Sequence, residues 1–276
     1  MKNELNELKN KIASFKNIEK IPSEKLQNMK ENTTVVFMSG GLSSRFTEVS
    51  NTQKSAFQLP NGETMIEMAL KMYVSNGFKK FAVLVSYQAE EIIKILGNGE
   101  KYNVSIKYSH DPKGSPVGKG GAIRNAIENN TISKDDFAII QNTDDVIVDL
   151  PDFPEKVLSN FSYALDHNFE AMVVVVSETP YEFSGMKIVE NKVIEIDMYP
   201  KVPIPAHVGV SVISPKLYSH FSELFDFEQK TDFEKVLFPI LTKENKLFAM
   251  EIPEESWIAV NNQKSYNKLV KRLGLI

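Results

Sequence analysis

The sequence contains no cysteine. Disulfides, thiolate metal sites and cysteine nucleophiles are therefore excluded, and a reducing, cytoplasmic setting is the expectation. There is no run of Lys or Arg either. The 32 basic and 36 acidic residues are scattered and leave a net charge of −4, so neither a nucleic acid nor a membrane surface is expected as a partner. No apolar stretch approaches the roughly 18–20 residues of a membrane span. The opening residues, MKNELNELKNKIASFKN, alternate charge with single apolar residues and lack the apolar centre of a signal peptide. The four histidines, His110, His167, His207 and His220, lack metal-ligand spacing, and no Ser/His/Asp arrangement stands out. Internal repeats and low-complexity tracts are missing as well. What remains is a globular composition, 42% apolar and 25% charged, long enough for one large or two small domains.

Residues 1–31 read as a helical arm. Leu5, Leu8, Ile12 and Phe15 fall on one helix face, and Pro22 ends or redirects the helix. That face suits packing on the chain's own domain or a homo-oligomer contact. From residue 32 onward the pattern alternates. Strand-like runs at 34–38, 81–86, 104–108, 137–141 and 172–177 are separated by helical runs at 65–74, 89–96, 120–127 and 153–165. Such alternation predicts βαβ units and an α/β fold, a Rossmann-like sheet flanked by helices. After about residue 178 the elements shorten: strand-like runs at 185–189, 193–196, 208–213 and 247–252, with helices at 217–224, 233–241 and 263–273. This second half, about 179–276, reads as a lobe that covers the first, about 32–178, and contributes the last strands.

In open sheets of this kind, ligands bind beyond the carboxyl ends of the strands. That rule directs attention to three loops. The first runs Gly40-Gly41-Leu42-Ser43-Ser44-Arg45, with Lys54 nine residues on. A glycine turn at a strand end lets backbone N–H groups converge on phosphate oxygens, and two cations add charge-assisted hydrogen bonds. The second begins at Asp111 and reaches Gly118, Gly120 and Gly121, which open a helix where an anion, base or ribose can approach the backbone. The third carries an apolar strand into Asp144 and Asp145. Asp144 suits a Mg²⁺ or Mn²⁺ held through few protein oxygens, or a helix cap. Asp145 is expected to face solvent or cap the next turn. Late in the chain, Trp257-Ile-Ala-Val-Asn261-Asn262 is another apolar run ending in side-chain oxygens; one amide completes a metal shell, or caps the last helix.

Taken in order, these motifs resemble the sugar-1-phosphate nucleotidylyltransferase family over residues 35–273. Gly40 to Arg45 resembles its nucleotide loop, Lys54 its following lysine, Pro116 to Ala122 its nucleoside motif, and Asn142-Thr143-Asp144 its Asn-Gly-Asp. Gly185 resembles the glycine beneath the sugar, and Trp257 to Tyr266 the closing segment. The resemblance implies a nucleotide-diphospho-sugar transferase (GT-A-like) fold. It also implies a metal-dependent condensation of an NTP with a sugar-1-phosphate that releases pyrophosphate.

Several positions depart from the family pattern. Ser43 replaces a common glycine, as in molybdopterin nucleotidyltransferases, and Gln53 replaces a proline. Met198-Tyr199-Pro200-Lys201 stands where the family has Glu-Lys-Pro, so Lys201 becomes the candidate clamp on the acceptor phosphate. Ala259 occupies the second metal aspartate, and Asn261 is the substitute ligand. His207 stands where an asparagine often contacts the sugar. The altered acceptor motif leaves open a cytidylyltransferase acting on a phosphoalcohol such as phosphocholine. The same fold also serves glycosyltransferases, although their Asp-x-Asp metal motif is missing at Asn142-Thr143-Asp144. It would equally suit a non-catalytic nucleotide-sugar-binding regulator.

Overall fold

The structure, a computed structural model, describes residues 1–41, 53–86, 88–112 and 117–276. In chain order the first half comprises α1 (Lys2–Ile12), α2 (Ser23–Glu31), β1 (Thr33–Ser39), α3 (Met65–Ser75), β2 (Lys80–Val85), α4 (Ala89–Leu96), β3 (Ser105–His110), α5 (Gly118–Glu128), β4 (Phe137–Asn142), β5 (Asp145–Ile147), α6 (Phe153–Asp166) and β6 (Ala171–Val176). The second half adds β7 (Thr179–Pro180), β8 (Ser184–Val189), β9 (Lys192–Met198), β10 (Lys201–Val202), β11 (Ala206–Ile213), α7 (Tyr218–Leu224), α8 (Phe233–Lys243), β12 (Leu247–Glu251), β13 (Trp257–Ala259) and α9 (Gln263–Arg272).

The apolar runs form the middle of a mixed sheet. Among the described residues its order is β12-β6-β11-β4-β1-β2-β3. β11 alone runs antiparallel, between β4 and β6. Alternate strand residues point to opposite faces, so Val35 and Phe37 of β1 enter one core and Val36 the other. The first core is closed by α3, α4 and α6, with Tyr73, Phe78 and Phe161 fully buried. The second is closed by α5, α7 and α8, around Phe221 and Phe233. Covering both faces is what lets β2, β4 and β6 be apolar at nearly every position. The second half therefore contributes β11 and β12 to the sheet, as its β-branched runs imply.

A smaller core lies at one end. There β5 pairs antiparallel with β13, and Val146, Ile258, Val260, Leu269 and Val270 pack together under α9. Reciprocal capping boxes fix the entries to α3 (Thr64 with Glu67) and α9 (Asn262 with Ser265).

The N-terminal segment divides where the sequence pattern suggests a single arm. α1 buries no residue and stops at Ile12, whereas Pro22 precedes α2 and Leu26 and Met29 of α2 enter the main core. The ten residues between run outside the sheet, tethered to α6 through Lys16 to Tyr163 and Lys20 to Glu155. α1 then lies against the β8–β9 hairpin, joined through Glu4 to Lys187, and Lys9 reaches Glu178 at 3.1 Å. Among the described residues no helix is long and apolar enough to cross a membrane.

Candidate functional site

From β1 the chain steps outward to β2 and β3, then returns to the other side of β1 as β4. The carboxyl ends of β1 and β4 therefore flank a topological switch point, the usual ligand crevice of such sheets. Gly40 and Gly41 leave the sheet there. Leu42, Ser43, Ser44 and Arg45 lie outside the described residues. The chain re-enters at Gln53, whose buried side chain donates from Nε2 to the Ser39 carbonyl (2.7 Å) and accepts from the Ser55 N–H (2.6 Å). Ser55 and Thr143 hydroxyls meet beside it, and Thr143 Oγ1 also lies 3.5 Å from the Met38 carbonyl. The segment bearing Lys54 is thus stitched to the ends of both strands.

Lys54 Nζ donates to Asp144 Oδ2 at 2.7 Å and to Asn261 Oδ1 at 3.0 Å. Its partners are 90 and 207 residues away in sequence. Asp144 is placed by the end of β4 and by its own carbonyl, which accepts from the Val260 N–H at 2.8 Å. The choice between two asparagines at the last helix is resolved by geometry. Asn262 caps α9, its side chain accepting from the Ser265 N–H at 3.0 Å, and the Asn261 side chain points at Lys54. Two side-chain oxygens thus converge on one cationic centre.

Asp145 departs from its expected exposure. It opens β5, opposite Ala259 of β13. It is half-buried, its carboxylate accepting from Trp257 Nε1 (2.9 Å) and Asn142 Nδ2 (3.0 Å). Burial pushes its pKa up to about 6, the Asp144 charge adds to the rise, and the two hydrogen bonds oppose it. Gly209 faces this carboxylate. It has φ +71°, and a Cβ there would fall on Asp145 Oδ2 and 2.7 Å from Asn142 Nδ2. The irregular pairing of β11 between His207 and Ser211 makes this approach possible. Behind the pair, Gln141 is held by the Tyr73 hydroxyl (2.8 Å) and the Asp145 carbonyl (3.2 Å).

The second loop meets the first at Ser86. Gly40 lies against Ser86, and Asp111 donates its N–H to the Val85 carbonyl at 3.1 Å. Burial raises the Asp111 pKa, against hydrogen bonds from Ser86 and the Val117 N–H. The glycines that open α5 are packed closely against the chain itself. The space beside Gly118 and Gly120 is filled by segment 225–231, and that beside Gly121 mainly by Val117. A Cβ on Gly118, which has φ +70°, would lie 2.5 Å from the Thr231 nitrogen, and one on Gly120 would enter the Phe225 ring. The Gly120 N–H is already donated to the Thr231 carbonyl at 3.0 Å. Arg124 secures the same segment, donating to the Phe225 carbonyl at 2.6 Å and stacking over Phe227.

On the acceptor side, Gly185 of β8 turns toward Pro200 and the Met1 side chain. Lys201 of β10 is ion-paired with Glu254 (3.1 Å) and Glu178 (3.6 Å), and Glu254 chiefly raises its pKa. Tyr199 is exposed, in the left-handed region at φ 56°. His207 sits at the rim end of β11. Its Nε2 lies 3.0 Å from both the Val210 carbonyl and Ser211 Oγ, and its ring meets the Phe238 edge. Burial lowers its pKa. The structure thus gathers Lys54, Asp144 and Asn261 in one cluster and Gly40 with Asp111 in a second. Gly185, Lys201 and His207 do not join either.

A family model described as "Nucleotidyl transferase" matches residues 34–273. The chain belongs to the nucleotidyl transferase family. Similar proteins include the mannose-1-phosphate guanylyltransferase catalytic subunit beta of Drosophila melanogaster, 25% identical over 240 residues, covering 85% of this chain and 61% of that protein. The Xenopus tropicalis protein of the same name is 29% identical over 198 residues, covering 70% and 51%. The chain thus spans half to three fifths of these curated relatives. A solved structure titled as a putative glucose-1-phosphate thymidylyltransferase from Bacillus anthracis, in complex with a sucrose, shares the fold. Its TM-score is 0.64 at 18% identity, covering 86% of this chain and 93% of that one.

Two residues that organise this nucleotidyl transferase's rim escape a reading of the sequence. Asp145 is chemically indistinguishable from its neighbour until Trp257, 112 residues on, is placed beside it. Gly209 leaves a fainter trace: a lone glycine inside the β-branched run Ala206-His-Val-Gly-Val-Ser-Val-Ile213 marks a bulge or a close approach.

Proposed function

We propose that this nucleotidyl transferase joins an NTP to a sugar-1-phosphate, forming an NDP-sugar and releasing pyrophosphate. The observation that carries the reading is the convergence of Lys54, Asp144 and Asn261 at the switch point. An acceptor phosphate is already a nucleophile, so the protein's task is positioning and charge neutralisation rather than covalent attack. Gly40, Gly41, Leu42, Ser43 and Ser44, with Asp111 and the start of α5, take the nucleotide. Arg45 meets the β- and γ-phosphates. The Lys54 ammonium, now paired with Asp144, is the group that meets an α-phosphate oxygen.

The donor set fits a hard divalent cation such as Mg²⁺ or Mn²⁺. A carboxylate oxygen and an amide oxygen already face one cationic centre, and the sequence holds no cysteine thiolate to favour a softer metal. Asp144 and Asn261 would hold it; when bound, it would offset charge on the phosphate oxygens between which the bond changes hands. The half-buried Asp145 holds Asn142 and Trp257, and through them the loop that carries Asp144.

A phosphoalcohol acceptor is the second reading, favoured by Tyr199 at the family's lysine position and by the engagement of Lys201 with Glu178 and Glu254. One experiment separates the two. A matrix of NTPs against hexose-1-phosphates and phosphocholine is read out as pyrophosphate, starting with GTP plus mannose-1-phosphate and dTTP plus glucose-1-phosphate, the pairs indicated by the relatives' names. Release with a sugar-1-phosphate is expected. Release with phosphocholine alone would favour the second reading, and nucleotide-sugar binding without turnover in any well would reject both.

A further inference from the structure

The β8–β9 hairpin is amphipathic in the opposite sense to the rest of the fold. Its strands are joined by a tight turn at Glu190 and Asn191, both at positive φ. Cross-strand partners share a face. Gly185 with Asp197 and Lys187 with Glu195 form the face that α1 covers, where Lys187 meets Glu4. Met186 with Ile196, Ile188 with Val193 and Ser184 with Met198 form the other. That second face is open: Met186 is 52% exposed, Ile188 59%, Ile196 58% and Met198 58%. Of the fourteen large apolar side chains found exposed among the described residues, eleven lie between residues 181 and 204. Scattered exposed apolar residues need no explanation, but a contiguous group of this size does.

We infer that the apolar face of this hairpin is a twofold interface with a second copy of the same chain. Three features select that occupant. The three cross-strand pairs of the face carry no charge, so they offer no complementary field to an acidic or basic partner. An uncharged apolar face is complementary to itself, as an isologous contact requires. Half-exposed side chains of this size offer roughly 100 Å² each, so the face and its flanks, Phe183 included, present on the order of 800 Å², the share each partner gives to a standard interface. A two-stranded sheet is also marginal by itself. α1 covers one side of this one, and the second copy completes the other.

Sedimentation velocity over a concentration series tests the assignment, with circular dichroism to confirm folding. Wild-type protein is expected to dimerise at micromolar concentration. Ile196→Lys and Ile188→Lys should each weaken the dimer at least a hundredfold with the helical signal intact. Leu8→Lys, on the exposed side of α1, should leave it unchanged. A wild-type monomer at high concentration would overturn the inference. So would a dimer that survives both hairpin variants, or one that Leu8→Lys dissolves, which would give the interface to α1. Flotation with neutral lipid vesicles abolished by the hairpin variants, without dimerisation, would assign the face to lipid instead. None of these readouts depends on turnover, so the inference stands or falls apart from the proposed reaction.

Discussion

The rim around Asp144 and the β8–β9 hairpin resolve the same problem in opposite directions. At the rim, polar side chains turn inward and are met by distant parts of the chain: Gln53 by Ser39, Asp145 by Trp257, Lys54 by Asn261. In the hairpin, apolar side chains turn outward and are left exposed. The rim is completed by the chain itself; its buried polar groups are costly unless paired, and the pairs fix its geometry. The hairpin is completed only by something added. The first arrangement yields a rigid, preorganised rim, and the second an open surface that a partner can cover.

The contrast breaks most sharply at Gly209. Gly209→Ala forces a Cβ onto the Asp145 carboxylate at a backbone angle that disfavours side chains. It should cost about 2–4 kcal/mol in urea denaturation, whereas Ile196→Lys in the hairpin, compared with wild type at a concentration where both are monomeric, should stay within about 0.5 kcal/mol. Equal losses would erase the distinction. Next comes Asp144→Asn, expected to lower turnover at least about tenfold, or ~1.4 kcal/mol, with a midpoint close to wild type. EDTA should abolish pyrophosphate release, and added Mg²⁺ or Mn²⁺ should restore it.

Titration offers a gentler probe. The folded Asp145 pKa near 6 lies above the usual 3.8, so the folded state binds the proton more tightly than the unfolded chain. Stability from this group is therefore full below about pH 4, falls as pH rises toward 6, and is level beyond. Urea midpoints at pH 4.5 and 7 should show that decline, and Asp145→Asn should flatten it. The smallest effect is expected at Lys201→Ala. Its ion pairs are half-exposed and worth at most about 1 kcal/mol. KM for the phosphosugar should rise a few-fold while KM for the NTP stays put, because only one substrate loses a contact. A shift in the NTP value instead would move Lys201 to the nucleotide side.

Much of the sheet was legible because buried strands advertise themselves: Phe81 to Val85 and Ala171 to Val176 can be little else. The three rim loops followed from the carboxyl-end rule. What stayed hidden depended on contacts distant in sequence. Three glycines at the start of α5 have the composition of a ligand cradle, and their packing against Phe225 and Thr231 could not be read from it. Asn261 and Asn262 were equivalent as letters, and Ser265 separates them. The hairpin was hidden in another way. Its strand-like runs at 185–189 and 193–196 were visible, but such a run does not say which face turns inward.

The reversed strand β11 has a consequence for how the molecule comes into being. β4 and β6 never pair with each other; β11 alone fills the slot between them, with β12 on the far side of β6. During synthesis β6 is made some thirty residues before either neighbour exists, so its apolar edges wait unpaired. A chain arrested near residue 178 would hold three parallel strands beside β4 and a detached β6, an aggregation hazard rather than a small domain. The rim at the carboxyl ends of β1 and β4 therefore acquires its final shape only when the second half arrives to close it.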